Sequence, residues 1–206
     1  SHKSFHDFDQ KNFKKAIYLY RNGLDVINSY WYFYNAQHPG IYKNIEEFIG
    51  CYWEYCGHWG EHIYSWAFNP RLSQKVFIIK YEDLLKDPLK ILKSLSQFLN
   101  IDLKNNNIKS AIEQSSFENL KLLKGSGEFM NSKNKKFHFA RSGKIGSHTE
   151  LDLRLRNYFL SNKKNLEIMR ELNFLNKNEN FSNHLDYSFK NKVECKLLRL
   201  KNRVFF

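Results

Sequence analysis

Cysteine and proline are both scarce in this chain, at three residues each. Three unevenly spread cysteines cannot build the disulfide framework of a small secreted domain. The expectation is therefore a reducing compartment such as the cytoplasm, or thiols without structural consequence. So few prolines beside 17% aromatic residues argue for a packed fold rather than a disordered tail. No apolar run approaches the roughly 20 residues of a membrane-spanning helix. Acidic side chains are short as well, 21 against 33 basic ones. The formal charge of +12 favours an anionic ligand or surface without choosing among nucleotide, polysaccharide, lipid and nucleic acid. No G-x-x-x-x-G-K-[ST] segment is present, which speaks against a kinase-like nucleotide enzyme.

The 206 residues suit one domain with a sizeable core. Its organising stretch is Lys14 to Tyr34. Ala16 to Tyr20 is a short β-branched and aromatic run of the kind that forms a buried parallel strand. Arg21-Asn22-Gly23 breaks that run, and from Asp25 onward Val26, Ser29, Tyr30 and Phe33 recur at helical spacing. In an open α/β sheet such a strand, turn and helix start lies where phosphate-bearing ligands bind. Arg21 offers a forked set of donors suited to a phosphate, and Ser29 offers a hydroxyl.

A second unit of the same kind follows. Lys75 to Tyr81 reads as a strand, and Asp87-Pro88 starts a helix with Ile91, Leu92, Leu95, Phe98 and Leu99 on one face. Between the two units, Glu46 to Trp53 and His58 to Phe68 read as helices dense in Trp and Tyr, suited to a core or to an aromatic-lined acceptor pocket. Cys51, Cys56, His58 and His62 have the look of a zinc set. Only Gly57 separates Cys56 from His58, too short a loop for tetrahedral convergence, so helix packing is the better reading. Ile108 to Leu123 reads as a helix, Lys124 to Gly146 as a long Gly/Ser/Lys-rich loop, and His148 to Leu172 as one long charged helix. Arg141-Ser142-Gly143 in that loop is what a phosphate-wrapping turn needs, a forked cation followed by free backbone amides. Beyond Asn173 the chain is rich in Asn and Lys. Val193, Leu197, Leu200 and Val204 form a stripe flanked by basic residues, so the tail suits docking on its own domain or contact with an anionic membrane.

Several of these segments resemble, in order, those of the sulfotransferases that use 3′-phosphoadenosine 5′-phosphosulfate (PAPS). RNGLDVINSYW resembles the R-N-x-x-D-V-x-x-S-Y segment, KVFIIKYEDLLKDP the strand ending in Y-E-D-L-x-x-D-P, SSF the T-S-F segment, and FARSGKIG the F-x-R-x-G-x-x-G loop. The resemblance implies an α/β fold, a P-loop-NTPase-like parallel sheet flanked by helices. It further implies sulfuryl transfer from PAPS, with PAP as product and no metal, to a hydroxyl or amine of a small-molecule, carbohydrate or lipid acceptor. No nucleic acid partner is expected. A non-enzymatic basic module binding nucleic acid or sulfated polysaccharide is the rival reading.

Carried over residue by residue, Arg21, Ser29 and Arg141 would hold the 3′-phosphate, with amides from Ser142 and Gly143. Tyr81, Ser115 and Phe117 would meet the adenine. His2, 19 positions before Arg21, would be the general base, with His6 as its competitor. The implied domain spans 1–173, with a basic extension, helical in part, over 174–206. The family's N-terminal strand and P-K-S-G-T-like loop find no counterpart in the 206 residues, whose expected nucleotide affinity by themselves is weak. The family's K-x-x-x-T-V-x-x-x-E dimer motif is not reproduced at Thr149-Glu150, so dimerisation is unsupported.

Overall fold

The computed structural model describes residues 5, 13–52, 59–122, 128–130, 136–138 and 143–176. Strand β1 (Ala16–Tyr20) and strand β2 (Val76–Lys80) pair in parallel, Ala16 opposite Val76 through Tyr20 opposite Lys80. Both runs are β-branched and aromatic, which suits a pleated, partly covered surface. Helix α1 (Gly23–Gln37) follows β1, and Asn22 caps it by accepting the Leu24 amide through its side chain. Helices α2 (Ile45–Tyr52) and α3 (Trp59–Ala67) complete the connection to β2.

After β2 the chain enters α4 (Tyr81–Lys86) and α5 (Pro88–Leu99). Asp87 caps α5 on the Lys90 amide with Pro88 in the first turn, and Asn100 ends it in the left-handed region at φ 59°. The expected single helix over 108–123 is two helices, α6 (Asn105–Gln114) and α7 (Phe117–Leu122). The break is made by two serines. The Ser115 hydroxyl donates back to the Ala111 carbonyl, and the Ser116 hydroxyl accepts the Asn119 amide, opening a new helix.

The stretch expected as an unbroken loop contains a hairpin, β3 (Glu128–Met130) antiparallel to β4 (Lys136–His138), with Phe129 opposite Phe137. Three-residue strands are too short for alternation to stand out in a Gly/Ser/Lys-rich background. The long charged helix is likewise divided, into a 3-10 turn at Ser147–Glu150, α8 (Leu153–Ser161) and α9 (Lys163–Glu171). Asp152 caps α8. Asn162, extended at ψ 116°, accepts the Lys164 and Asn165 amides and so restarts the chain as α9.

The core lies between α1, α2, α3, α8 and α9. Ile27, Phe48, Ile49, Ile63, Ile168 and Met169 are fully buried there, each contributing about 1.5–3 kcal/mol through apolar burial. Tyr34 and Tyr42 pack on Phe48 with ring centroids 5.6 Å from it, so this part of the aromatic surplus is spent on packing. Helices α3 and α9 approach so closely that a Cβ on Gly60 would stand 2.6 Å from the Lys164 carbonyl oxygen. The buried Asn165 locks that contact, accepting the Gly60 amide and donating to the Phe159 carbonyl.

The sheet is less buried than its sequence suggests. Helix α3 covers one face of β1, where Tyr18 stacks on Trp66, and α5 covers the opposite face of β2, where Phe77 meets Phe98. Ile17 and Leu19 share the α5 face but lie beyond its reach, about half exposed at 49% and 51%. Phe174 and Leu175, just past the expected domain boundary, pack against the same core. Residues 177–206, including the apolar stripe of the tail, lie outside the described residues. Among the described residues no helix is long and apolar enough to cross a membrane.

Candidate functional site

The carboxyl end of β1 delivers Arg21 to a corner where four distant segments meet. Its Nη2 donates to Asp25 Oδ2 at 3.0 Å, one helical turn on, and to the Lys144 carbonyl at 2.6 Å. Its guanidinium carbon lies 4.9 Å from the centre of the Tyr81 ring, a cation–π contact across the ends of the two parallel strands. The turn itself is fixed from outside. Glu82 accepts the Asn22 amide, and the Trp59 indole donates to the Arg21 carbonyl.

Asp25 is the electrostatic centre of this corner. Its side chain is fully buried and accepts the Gly146 amide at 2.9 Å, the His148 amide at 2.7 Å, the His148 ring at 2.7 Å and the Ser147 hydroxyl at 3.4 Å. A carboxylate only accepts, so His148 Nδ1 carries the proton in that bond. Burial pushes the Asp25 carboxyl up. Hydrogen bonds from Gly146 and from the ring and amide of His148, with the Arg21 charge, outweigh it and hold the group below the usual carboxylate range. Asn28, a turn further along α1 and also buried, donates to the Ser147 carbonyl and to Glu150.

The other side of the loop rests on α7. Gly143 sits at φ 61°, and a Cβ there would come within 2.9 Å of the Phe117 ring. Glycine thus serves two ends at this position, the left-handed backbone and the space against an aromatic ring. Arg21 thus meets the Tyr81 ring and the Lys144 carbonyl, and Gly143, next to Lys144 in the chain, lies against Phe117.

The other expected residues fare differently. Ser29 lies four residues beyond Asp25, on the same face of α1, and is exposed. Ser115 is exposed, and its hydroxyl proton goes to the α6 carbonyls of Ala111 and Ile112. Tyr81, expected near an adenine, has its ring engaged by Arg21. His2, His6, Arg141 and Ser142 lie outside the described residues. Of the apparent zinc set, Cys56 and His58 also lie outside them. His62 hydrogen-bonds the Tyr18 hydroxyl at 2.8 Å, and burial pushes that phenol up. Among the described residues no group of His, Cys, Asp and Glu could hold a metal ion.

Asp25, Asn28 and His148 were absent from the sequence-derived site. The signals for Asp25 were its place at the D of the R-N-x-x-D-V segment and its i,i+4 spacing from Arg21 at a helix start. Nothing local marks His148, whose partner is 123 residues away in sequence.

A profile described as the sulfotransferase domain matches residues 1–172. The chain belongs to the sulfotransferase family. It is 32% identical to sulfotransferase 1A1 of Rattus norvegicus over 118 residues, 55% of this chain and 39% of that protein. To sulfotransferase 2A6 of the same species it is 34% identical over 131 residues, 59% of this chain and 45% of that one. The match thus spans less than half the length of these relatives.

Among solved structures, this sulfotransferase chain resembles mouse sulfotransferase SULT7A1 complexed with PAP. The TM-score is 0.59 at 23% identity, covering 76% of this chain and 59% of the other. It also resembles a retinol dehydratase in complex with retinol and PAP, at a TM-score of 0.61 and 20% identity, covering 82% and 50%. At those identities the likeness establishes the shared α/β fold. The expected fold class, a parallel sheet flanked by helices as in P-loop proteins, is thereby confirmed.

Proposed function

We propose that this chain binds the 3′-phosphate and adenine of PAPS, and that the protein transfers the sulfuryl group to a hydroxyl of a small-molecule acceptor. The observation that carries the reading is Arg21, held at the end of β1 by Asp25, the Lys144 carbonyl and the Tyr81 ring. Beside it the Gly143 turn rests on Phe117. The fit to a phosphate has a local sign. Arg21 Nε is buried and, among the described residues, makes no hydrogen bond, a donor that an arriving anion would satisfy. The relatives' names support the acceptor class. One is a 3-beta-hydroxysteroid sulfotransferase of Cavia porcellus, and the retinol dehydratase was solved with retinol.

In the reaction the sulfur–oxygen bond to the 5′-phosphate of PAPS breaks, and a new one forms to the acceptor oxygen. The acceptor proton passes to a base, for which His2 is our candidate. This chain's contribution is positioning. Arg21, with Arg141, Ser29 and the amides of Ser142 and Gly143, would fix the nucleotide by its 3′-phosphate so that the donor lies in line. Phe117 would give the adenine an apolar face, worth roughly 1–3 kcal/mol where stacking is complete, and Tyr81 and Ser115 would meet the same base.

The test is nucleotide discrimination at constant salt. The chain should bind adenosine 3′,5′-bisphosphate more tightly than adenosine 5′-phosphate. Arg21→Ala should lose about 1.5–3 kcal/mol of the former, roughly ten- to a hundredfold in affinity. Equal affinity for the two nucleotides, with binding that falls steeply in salt, would overturn the reading in favour of a basic binding module.

A further inference from the structure

The Asp25 carboxylate connects two things that a phosphate site needs, a cation aimed correctly and a turn held against it. Its Oδ2 is shared between Arg21 Nη2 and the Gly146 amide, and its Oδ1 takes the amide and ring of His148. Both oxygens are fully enclosed, so no water competes for these bonds. The acceptors are the two oxygens of one carboxylate at the start of α1, so the guanidinium and the turn are tied to the same group. Lys144 closes the ring, its carbonyl accepting from the same Nη2.

We infer that Asp25 and His148 are positioning residues for nucleotide binding, Asp25 setting the direction of the Arg21 guanidinium and His148 holding the turn down on Asp25. The inference rests on the PAPS reading above and adds residues to that site that the motif segments did not assign. Neither side chain would touch the nucleotide. Their effect would pass through Arg21 and through the backbone between Gly143 and Gly146. A carboxylate that merely stabilised the fold would affect every ligand of the domain alike, whereas one that aims Arg21 affects the 3′-phosphate selectively.

The experiment measures the affinity of the whole chain for adenosine 3′,5′-bisphosphate and for adenosine 5′-phosphate in wild type, Asp25→Asn, Arg21→Ala and the double variant. Asp25→Asn is expected to weaken the bisphosphate about tenfold and leave the monophosphate within about twofold. In the Arg21→Ala background Asp25→Asn should have almost no further effect, the signature of two residues acting as one. Equal loss for both nucleotides, or losses that simply multiply in the double variant, overturns the inference.

Where Asp25→Asn does not fold, His148→Gln decides. It removes the ring bond and leaves the backbone amide, and should weaken the bisphosphate about threefold with the monophosphate unchanged. Unchanged bisphosphate affinity in His148→Gln counts against it. A wild type that fails to prefer the bisphosphate defeats the PAPS reading itself. Preference in wild type retained in Asp25→Asn defeats the positioning role alone.

Discussion

Helix α1 has two ends of opposite character. Its first two turns bury Asp25 and Asn28 and spend their side chains on a loop more than a hundred residues away. Its last turn buries Tyr34 against the rings of Tyr42 and Phe48. The aromatic end stabilises by area removed from water and tolerates changes that keep volume. The polar end adds little net stability for its desolvation cost, but it admits one arrangement. One helix therefore carries an anchor and an instrument, and damage to each should look different.

The largest effect is expected at the anchor. Phe48→Ala should cost about 3–5 kcal/mol of unfolding free energy in a denaturant titration, while the folded fraction keeps its preference between nucleotides. A change in that preference would mean that the two ends are not separable.

Acid should be felt next, and at the polar end. The folded Asp25 carboxyl is held below its unfolded value, so its contribution is present in full above the ordinary carboxylate pKa of about 3.9 and is lost as pH falls through the folded value. Between pH 5 and 3 the urea midpoint of wild type should therefore fall further than that of Asp25→Asn. Parallel losses in the two proteins would show that Asp25 keeps no depressed pKa.

Gly143→Ala should come third, costing about 1–2 kcal/mol for a left-handed alanine pressed on the Phe117 ring, with a larger proportional loss in bisphosphate binding than in stability. The smallest effect should fall outside both regions. Leu153→Gln, at a side chain 68% exposed, should move the midpoint by less than about 0.5 kcal/mol in thermal or urea melts.

Much of this architecture was legible in the residues. Ala16 to Tyr20 and Val76 to Lys80 read as strands because β-branched and aromatic runs end abruptly at polar turns. The start of α5 was legible because Asp87-Pro88 is a cap that acts on its own neighbours. The divisions at Ser115-Ser116 and Asn162 were not, although their chemistry is also local. Hydrophobic spacing continues across both, and a cap in mid-pattern competes with a helix that propensity alone would extend. Of the candidate site, Arg21, Tyr81, Phe117 and Gly143 were expected because motif segments mark them. Asp25 was read as a helix opener inside a motif segment, with no role assigned to it, and His148 as the first residue of a helix. Neither reading contains the other residue.

What the sequence determined by itself is the set of short-range decisions: where β1 stops, where α1 begins under Asn22, and that an arginine with a forked cation stands between them. Those follow from backbone propensity and from side chains reaching a few residues along. Only the tertiary structure decided that Asp25 would be closed off from water by Gly146, Ser147 and His148, 121 to 123 positions downstream, and that Gly143 would lie on Phe117. A carboxylate on an isolated helix would remain in water. It becomes a structural centre only when packing of the intervening helices brings a second stretch of backbone amides to it, and no local pattern encodes that meeting.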